Sequence, residues 1–213
     1  MKTIIQKYTK QDLENLDKLT RLKIVNGITG IKPANLIATI DNDGNTNVAI
    51  FSSVVHLGSN PPLLGFVTKL QMNGAHTFQN IKQNGVYTIN HIHPEFTEQA
   101  HYTAASFDKN TSEFERCGLT EEYIDNFKAP FVKESEFKMG MCFKEAITIP
   151  SNEATLVVGE IESIMLPDCA MVNGDINLEE AESVGISGLN SYYEVKKIAN
   201  YPYAKVEEVP KFK

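Results

Sequence analysis

Six polar side chains interrupt runs that otherwise read as strands: Thr39, Asn47, Ser52, Ser53, Thr68 and Asn90. A buried hydroxyl or amide without a partner costs on the order of 1–3 kcal/mol. Several together therefore need shared partners, drawn from one another, the backbone, water or a ligand. Turn-capping by Ser and Asn accounts for some of them with no ligand at all. A phosphate group accounts for the cluster economically, because hydroxyls and free N–H groups satisfy its oxygens and a helix start adds a favourable dipole. Thr77 and Asn80 open such a helix in "HTFQNI", and Lys69, just after the strand "GFVT", supplies a cation.

The histidines invite a metal reading and do not sustain it. "NHIHPE" sets His91 and His93 two apart with Glu95 nearby, but no third ligand stands at matching spacing. The segment reads equally as a polar strand end turning into a helix at Pro94. His56, His76 and His101 read either as polar groups beside a ligand or as satisfied imidazoles. There is no GxSxG elbow, no phosphate-binding GxxxxGK[ST] loop and no GxGxxG after a strand. Serine hydrolase, P-loop and dinucleotide-fold chemistries are unsupported.

Composition narrows the partners. The 213 residues carry 20 Lys and Arg against 27 Asp and Glu, a net charge of −7, and the arginines are Arg21 and Arg116 alone. Such a chain lacks the basic stripe that a nucleic-acid backbone requires. Cys117, Cys142 and Cys169 stand far apart, in neither zinc-site nor disulfide spacing. No run reaches the roughly 18 apolar residues of a membrane span, and the N-terminus has no apolar signal core. A soluble, cytoplasmic protein without membrane or nucleic-acid partners is expected.

The elements that must position these residues follow from periodicity. Leu13, Leu16, Leu19 and Leu22 predict an amphipathic helix over 10–23. "NLIATIDNDGNTNVAIF" predicts a hairpin turning at Asp-Gly, and "PPLLGFVT" the next strand. Residues 76–83 predict a helix capped by Asn84-Gly85, and "GVYTINHI" a strand. Helices are expected over 94–106 and in "LTEEYIDNF", the latter capped by Thr120. Strands are expected in "MCFKEAITIP", "TLVVGEIESIML" and near "CAMV"; Gly185 and Gly188 read as a loop, and the charged tail as extended. Hairpin-joined strands interrupted by helices predict a mainly β protein, a β-barrel with helical insertions.

"IKPANLIATIDNDGNTNVAIFSSVVHLGSNPPLLGFV", followed by "HTFQNIKQNGVYTINHI", closely resembles the flavin reductase-like family of FMN-binding split-barrel proteins. The set formed by "FSS", "PPL" and "T..NI…G.YTIN" carries the likeness over residues 25–165, and "VGISGLNSYY" resembles the family's closing segment. The resemblance implies one Greek-key split barrel, with residues 1–24 as a helical arm, 25–170 as the barrel and 171–213 as the closing segment and tail. It implies a homodimer holding FMN near the subunit interface.

By this resemblance Phe51, Ser52 and Ser53 line the flavin ring and ribityl chain, with Thr68, Thr39 and Asn47 close by. Lys69, Thr77 and Asn80 hold the phosphate, Asn90 supports the floor, and His101 faces the nicotinamide or acceptor. Many members carry Arg-Pro where this chain has Lys69-Leu70, and Lys-Phe where it has Glu113-Phe114. The implied activity is NAD(P)H:flavin reduction, in which NADH or NADPH passes hydride to the flavin. The alternatives are a flavoredoxin-like electron carrier with a redox protein partner, or a dimeric barrel that binds without catalysis.

Overall fold

The structure, a computed structural model, describes residues 4–69, 75–108 and 111–212. Leu70 lies outside them. The chain opens with α1 (Lys10–Asn15) and α2 (Lys18–Gly27), where a single helix is expected. Asp17 divides it: its carboxylate accepts the N–H groups of Leu19 and Thr20 and so starts a new helix. Neither helix buries a residue.

The strands β1 (Lys32–Pro33), β2 (Asn35–Ile40) and β3 (Thr46–Phe51) follow. Between the last two, the Asp41 carboxylate accepts the N–H groups of Asp43 and Asn45, and Gly44 takes the positive φ of 89° that closes the hairpin. Then come β4 (Val55–Ser59), β5 (Pro62–Lys69), α3 (Ala75–Asn84) and β6 (Val86–His91). A 3-10 turn at 94–96 leads into α4 (Thr97–Tyr102), shorter than expected, and α5 (Glu113–Cys117).

The helix expected in "LTEEYIDNF" does not form. Glu121–Glu122 pairs as β7 with β8 (Phe131–Val132), and Asp125 and Asn126 take positive φ of 50° and 61°, which no helix accommodates. The long strands β9 (Lys138–Ile149) and β10 (Ala154–Met165) are followed by the small ladder of β11 (Met171–Val172) and β12 (Asp175–Ile176). The expected loop at Gly185 is instead β13 (Val184–Ser187), paired with β1 and with β14 (Ser191–Glu194). Glycine fits there because a Cβ would stand 2.4 Å from Ile31 Cγ2.

Seven strands form one antiparallel sheet in the order β3-β2-β6-β9-β10-β5-β4. It rolls up on itself. Phe51 at the end of β3 meets Phe66 of β5 edge to face at 5.0 Å, and Phe66 meets Tyr87 of β6 at 5.7 Å. Alternation then gives two cores. Ile37, Ile89, Met139 and Val157 face the barrel interior, which α3 plugs with Phe78 and Ile81. Leu36, Ala38 and Val48 face outward beneath Phe96, Phe114 and Ile186. β2 is thus buried on both faces along nearly its whole length. No helix among the described residues is long and apolar enough to cross a membrane.

Candidate functional site

The sheet leaves β3 with a neighbour on one side only. On its other side the chain builds a cleft of ≈ 470 Å³. Its walls are residues 49–53, the end of β5 at 67–69, the segment 103–107 after α4, Glu113, and Leu189 between β13 and β14. The Val48 N–H points to that open side, since it donates to Glu113 Oε2 at 3.3 Å. In an extended strand the backbone groups two and four residues on point the same way. Ile50 therefore turns its N–H and C=O toward the cleft, a donor and acceptor suited to the polar edge of a planar heterocycle, and Ser52 follows at the bend where β3 has ended.

"FSS" shapes this wall. The ladder between β4 and β5 ends at Val55–Gly65. One step further the Ser53 side chain replaces the missing backbone: its Oγ accepts the Val67 N–H at 3.0 Å and donates to the Val67 carbonyl at 3.1 Å. The linker 52–54 is thereby tied to β5. Ser52 is half-buried, and its hydroxyl makes no hydrogen bond among the described residues. Thr68 is buried and Lys69 exposed at the end of the same strand. Phe51, Ser52, Ser53, Thr68 and Lys69 are therefore brought together in one cleft.

Thr39, Asn47, Thr77 and Asn80 form a second, buried group. Asn47 Nδ2 donates to Thr77 Oγ1 at 3.0 Å, and Asn80 Nδ2 to Thr39 Oγ1 at 3.1 Å. These bonds dock α3 onto the β2–β3 hairpin. Asn47 and Asn80 also border a polar notch with Asp41, His76 and Glu113; at ≈ 10 Å³ it has room for about one water.

Asn90 is buried on the outer face of β6, opposite Ile89 and beside β8, with its hydrogen-bonding groups spent. It donates to the Leu36 carbonyl and to Thr88 Oγ1, and accepts the Val132 N–H. His101 lies on α4 two residues before the cleft wall, and its Nδ1 stands 3.2 Å from the Tyr192 hydroxyl. Burial pushes that phenol up to about 12, so it remains protonated at neutral pH. His91 and His93 part company: His91 Nδ1 contacts Ser183 Oγ at 2.9 Å, and His93 Nε2 contacts Glu182 at 2.8 Å. His56 contacts Ser59.

The sequence marks Glu113 only as a departure from the Lys-Phe step of the family it resembles, and points to no site role for residues 103–107. Glu113 is 7% exposed, and burial raises its carboxyl above the ordinary range, although two backbone N–H groups, its own and that of Val48, pull the other way. It stands between the cleft and the notch and borders both.

The sequence profile of the flavin reductase like domain matches residues 31–178. A protein with a split barrel domain from Shewanella frigidimarina NCIMB 400, described as a candidate flavin reductase, is 45% identical. It superposes with a TM-score of 0.89, over 93% of this chain and 100% of that one. Nitrilotriacetate monooxygenase component B of Bacillus cereus is 18% identical, with a TM-score of 0.81 over 94% of this chain and 100% of its own. Flavoredoxin of Desulfovibrio vulgaris (Miyazaki F) is 20% identical, with a TM-score of 0.72 over 82% and 92%. These two share the fold, a split barrel with its seven strands in one rolled sheet. Because the matched residues span every strand of that sheet and both strand-borne walls of the cleft, the chain belongs to the flavin reductase-like family.

Proposed function

We propose that the chain is a flavin-dependent oxidoreductase that binds FMN in the cleft beside β3 and accepts hydride from NADH or NADPH. The observation that carries this reading is the unpaired edge of β3 opening onto a cleft of ≈ 470 Å³, within the usual range of small-molecule sites. The residues present fit the group. The backbone at Ile50 meets the ring's polar edge, and Phe51 and Ser53 hold the wall behind it. The Ser52 hydroxyl and Thr68 serve the ribityl chain, and Lys69 the phosphate. Thr39, Asn47, Thr77 and Asn80 brace the base of α3, and Asn90 ties the outer face of the sheet to β8. His101, held against Tyr192, is the residue we assign to the nicotinamide side.

Flavin would supply the two-electron chemistry, and the chain binds, orients and shields it. That division of labour agrees with the lack of a nucleophile and base constellation in the sequence.

We also propose a homodimer. Ile147, Leu156 and Val67 stand in one row across β9, β10 and β5, with Val55 and Leu57 of β4 nearby. Ile147, Val67, Val55 and Leu57 are all exposed. Val67 also borders the cleft, so a second copy seated on this face would complete its wall. Titration with FMN followed by anaerobic addition of NADH or NADPH tests the activity. Bound flavin bleached by either nucleotide supports a reductase; bound flavin that neither bleaches favours an electron carrier.

A further inference from the structure

Glu113 holds a position that the flavin-binding reading leaves without a role. It is the first residue of α5, buried, and the shared wall of the cleft and the polar notch. Among the described residues its carboxylate is met by backbone N–H groups alone, its own and that of Val48, the latter at a long 3.3 Å. No cation among the described residues lies within ion-pair distance of it. The ionisable groups around it are mixed. Asp41 from the β2–β3 hairpin and His76 from α3 share the notch, and Lys69 from β5 shares the cleft. Arg116 and Cys117 lie on its own helix, and Glu121 reaches Thr46, which in turn contacts Ser112. A carboxylate this poorly compensated becomes costlier when a second negative charge enters the same low-dielectric space.

We propose that Glu113 couples a proton to ligand binding in the cleft: an anionic flavin draws a proton onto its carboxyl, so that affinity falls as pH rises. This rests on the flavin-binding reading. The sign follows from linkage. An anion in the cleft favours the protonated carboxyl and raises its pKa in the complex above that of the free protein. Affinity is constant below the free value, falls between the two, and levels off above the bound one. Burial already lifts the free carboxyl, so the window lies above the ordinary carboxylate range. The same carboxyl works against ligands with additional negative charge near α5, which makes it a specificity residue.

The test is the dissociation constant of FMN from about pH 5 to about pH 9 for wild type and Glu113→Gln. Proton uptake is measured in parallel, on the unaltered protein, by calorimetry in buffers of different ionisation enthalpy. Ionisation of the FMN phosphate near pH 6 affects both proteins alike. Wild-type affinity should fall by up to about tenfold per pH unit within the window, with net proton uptake. Glu113→Gln should lack that component and bind more tightly at high pH. Coincident pH profiles, or no proton uptake beyond that of the ligand itself, overturn the assignment. No binding by either protein at any pH would sink the flavin reading along with it.

Discussion

The Ser53 hydroxyl occupies both hydrogen-bonding groups of Val67, standing in for a strand partner at the point where β4 leaves β5. Its neighbour Ser52 lines the same cleft without such a bond. The two serines should therefore separate experimentally. Ser53→Ala should cost about 1 kcal/mol of stability in urea denaturation. The full penalty for orphaned groups does not apply, because Val67 is 37% exposed and water reaches it. Ser52→Ala should leave the midpoint within about 0.5 kcal/mol and weaken FMN binding several-fold. The opposite pattern would exchange their roles.

The bond from Asn47 to Thr77 joins residues thirty apart in sequence and is buried. Asn47→Ala and Thr77→Ala should each destabilise by about 1–3 kcal/mol, since each leaves a buried polar partner unpaired. In a double-mutant cycle the pair should show a coupling of about 1 kcal/mol. Additive effects would mean that the two side chains act independently, and α3 would need another anchor on the hairpin.

His91 gives the fold a pH dependence. Burial lowers its pKa from 6.5 to about 4, with Ser183 at one ring nitrogen and the Phe137 ring edge-on at 4.2 Å. The unfolded chain therefore binds a proton that the folded chain refuses. The contribution is fully present above about pH 6.5 and is lost as pH falls through about 4, with a ceiling of about 3 kcal/mol. Urea midpoints measured across that interval should drop for wild type and drop less for His91→Asn. Equal slopes would show that other groups govern the acid limb.

Local chemistry was legible in the sequence, and contacts between distant segments were not. Asp41 and Gly44 announce their hairpin because the turn is made by side chain and φ within five residues. Gly85 announces the end of α3 in the same way, its N–H returning to the Ile81 carbonyl. By contrast, "LTEEYIDNF" has helical composition but is claimed by pairing with Phe131–Val132, a tertiary event. The polar residues in the strands could be read as needing partners, but not as finding different ones. Ser53 takes backbone, Asn47 and Asn80 take hydroxyls, and Asn90 takes Thr88 and the backbone of Leu36 and Val132 on the outer face of the sheet. Glu113 stands out only as a departure from a family's Lys-Phe step, not as a buried group. Its importance rests on Val48, sixty-five residues away, and on a burial that no local pattern signals.

The most direct measurement is equilibrium titration of the purified chain with FMN, followed by flavin fluorescence and the visible spectrum, for wild type and Ser52→Ala. Saturable quenching with shifted absorption bands, at an affinity that Ser52→Ala reduces several-fold, is the expected outcome. Unquenched flavin and an unshifted spectrum at protein concentrations well above micromolar would show that the cleft beside β3 is not a flavin site.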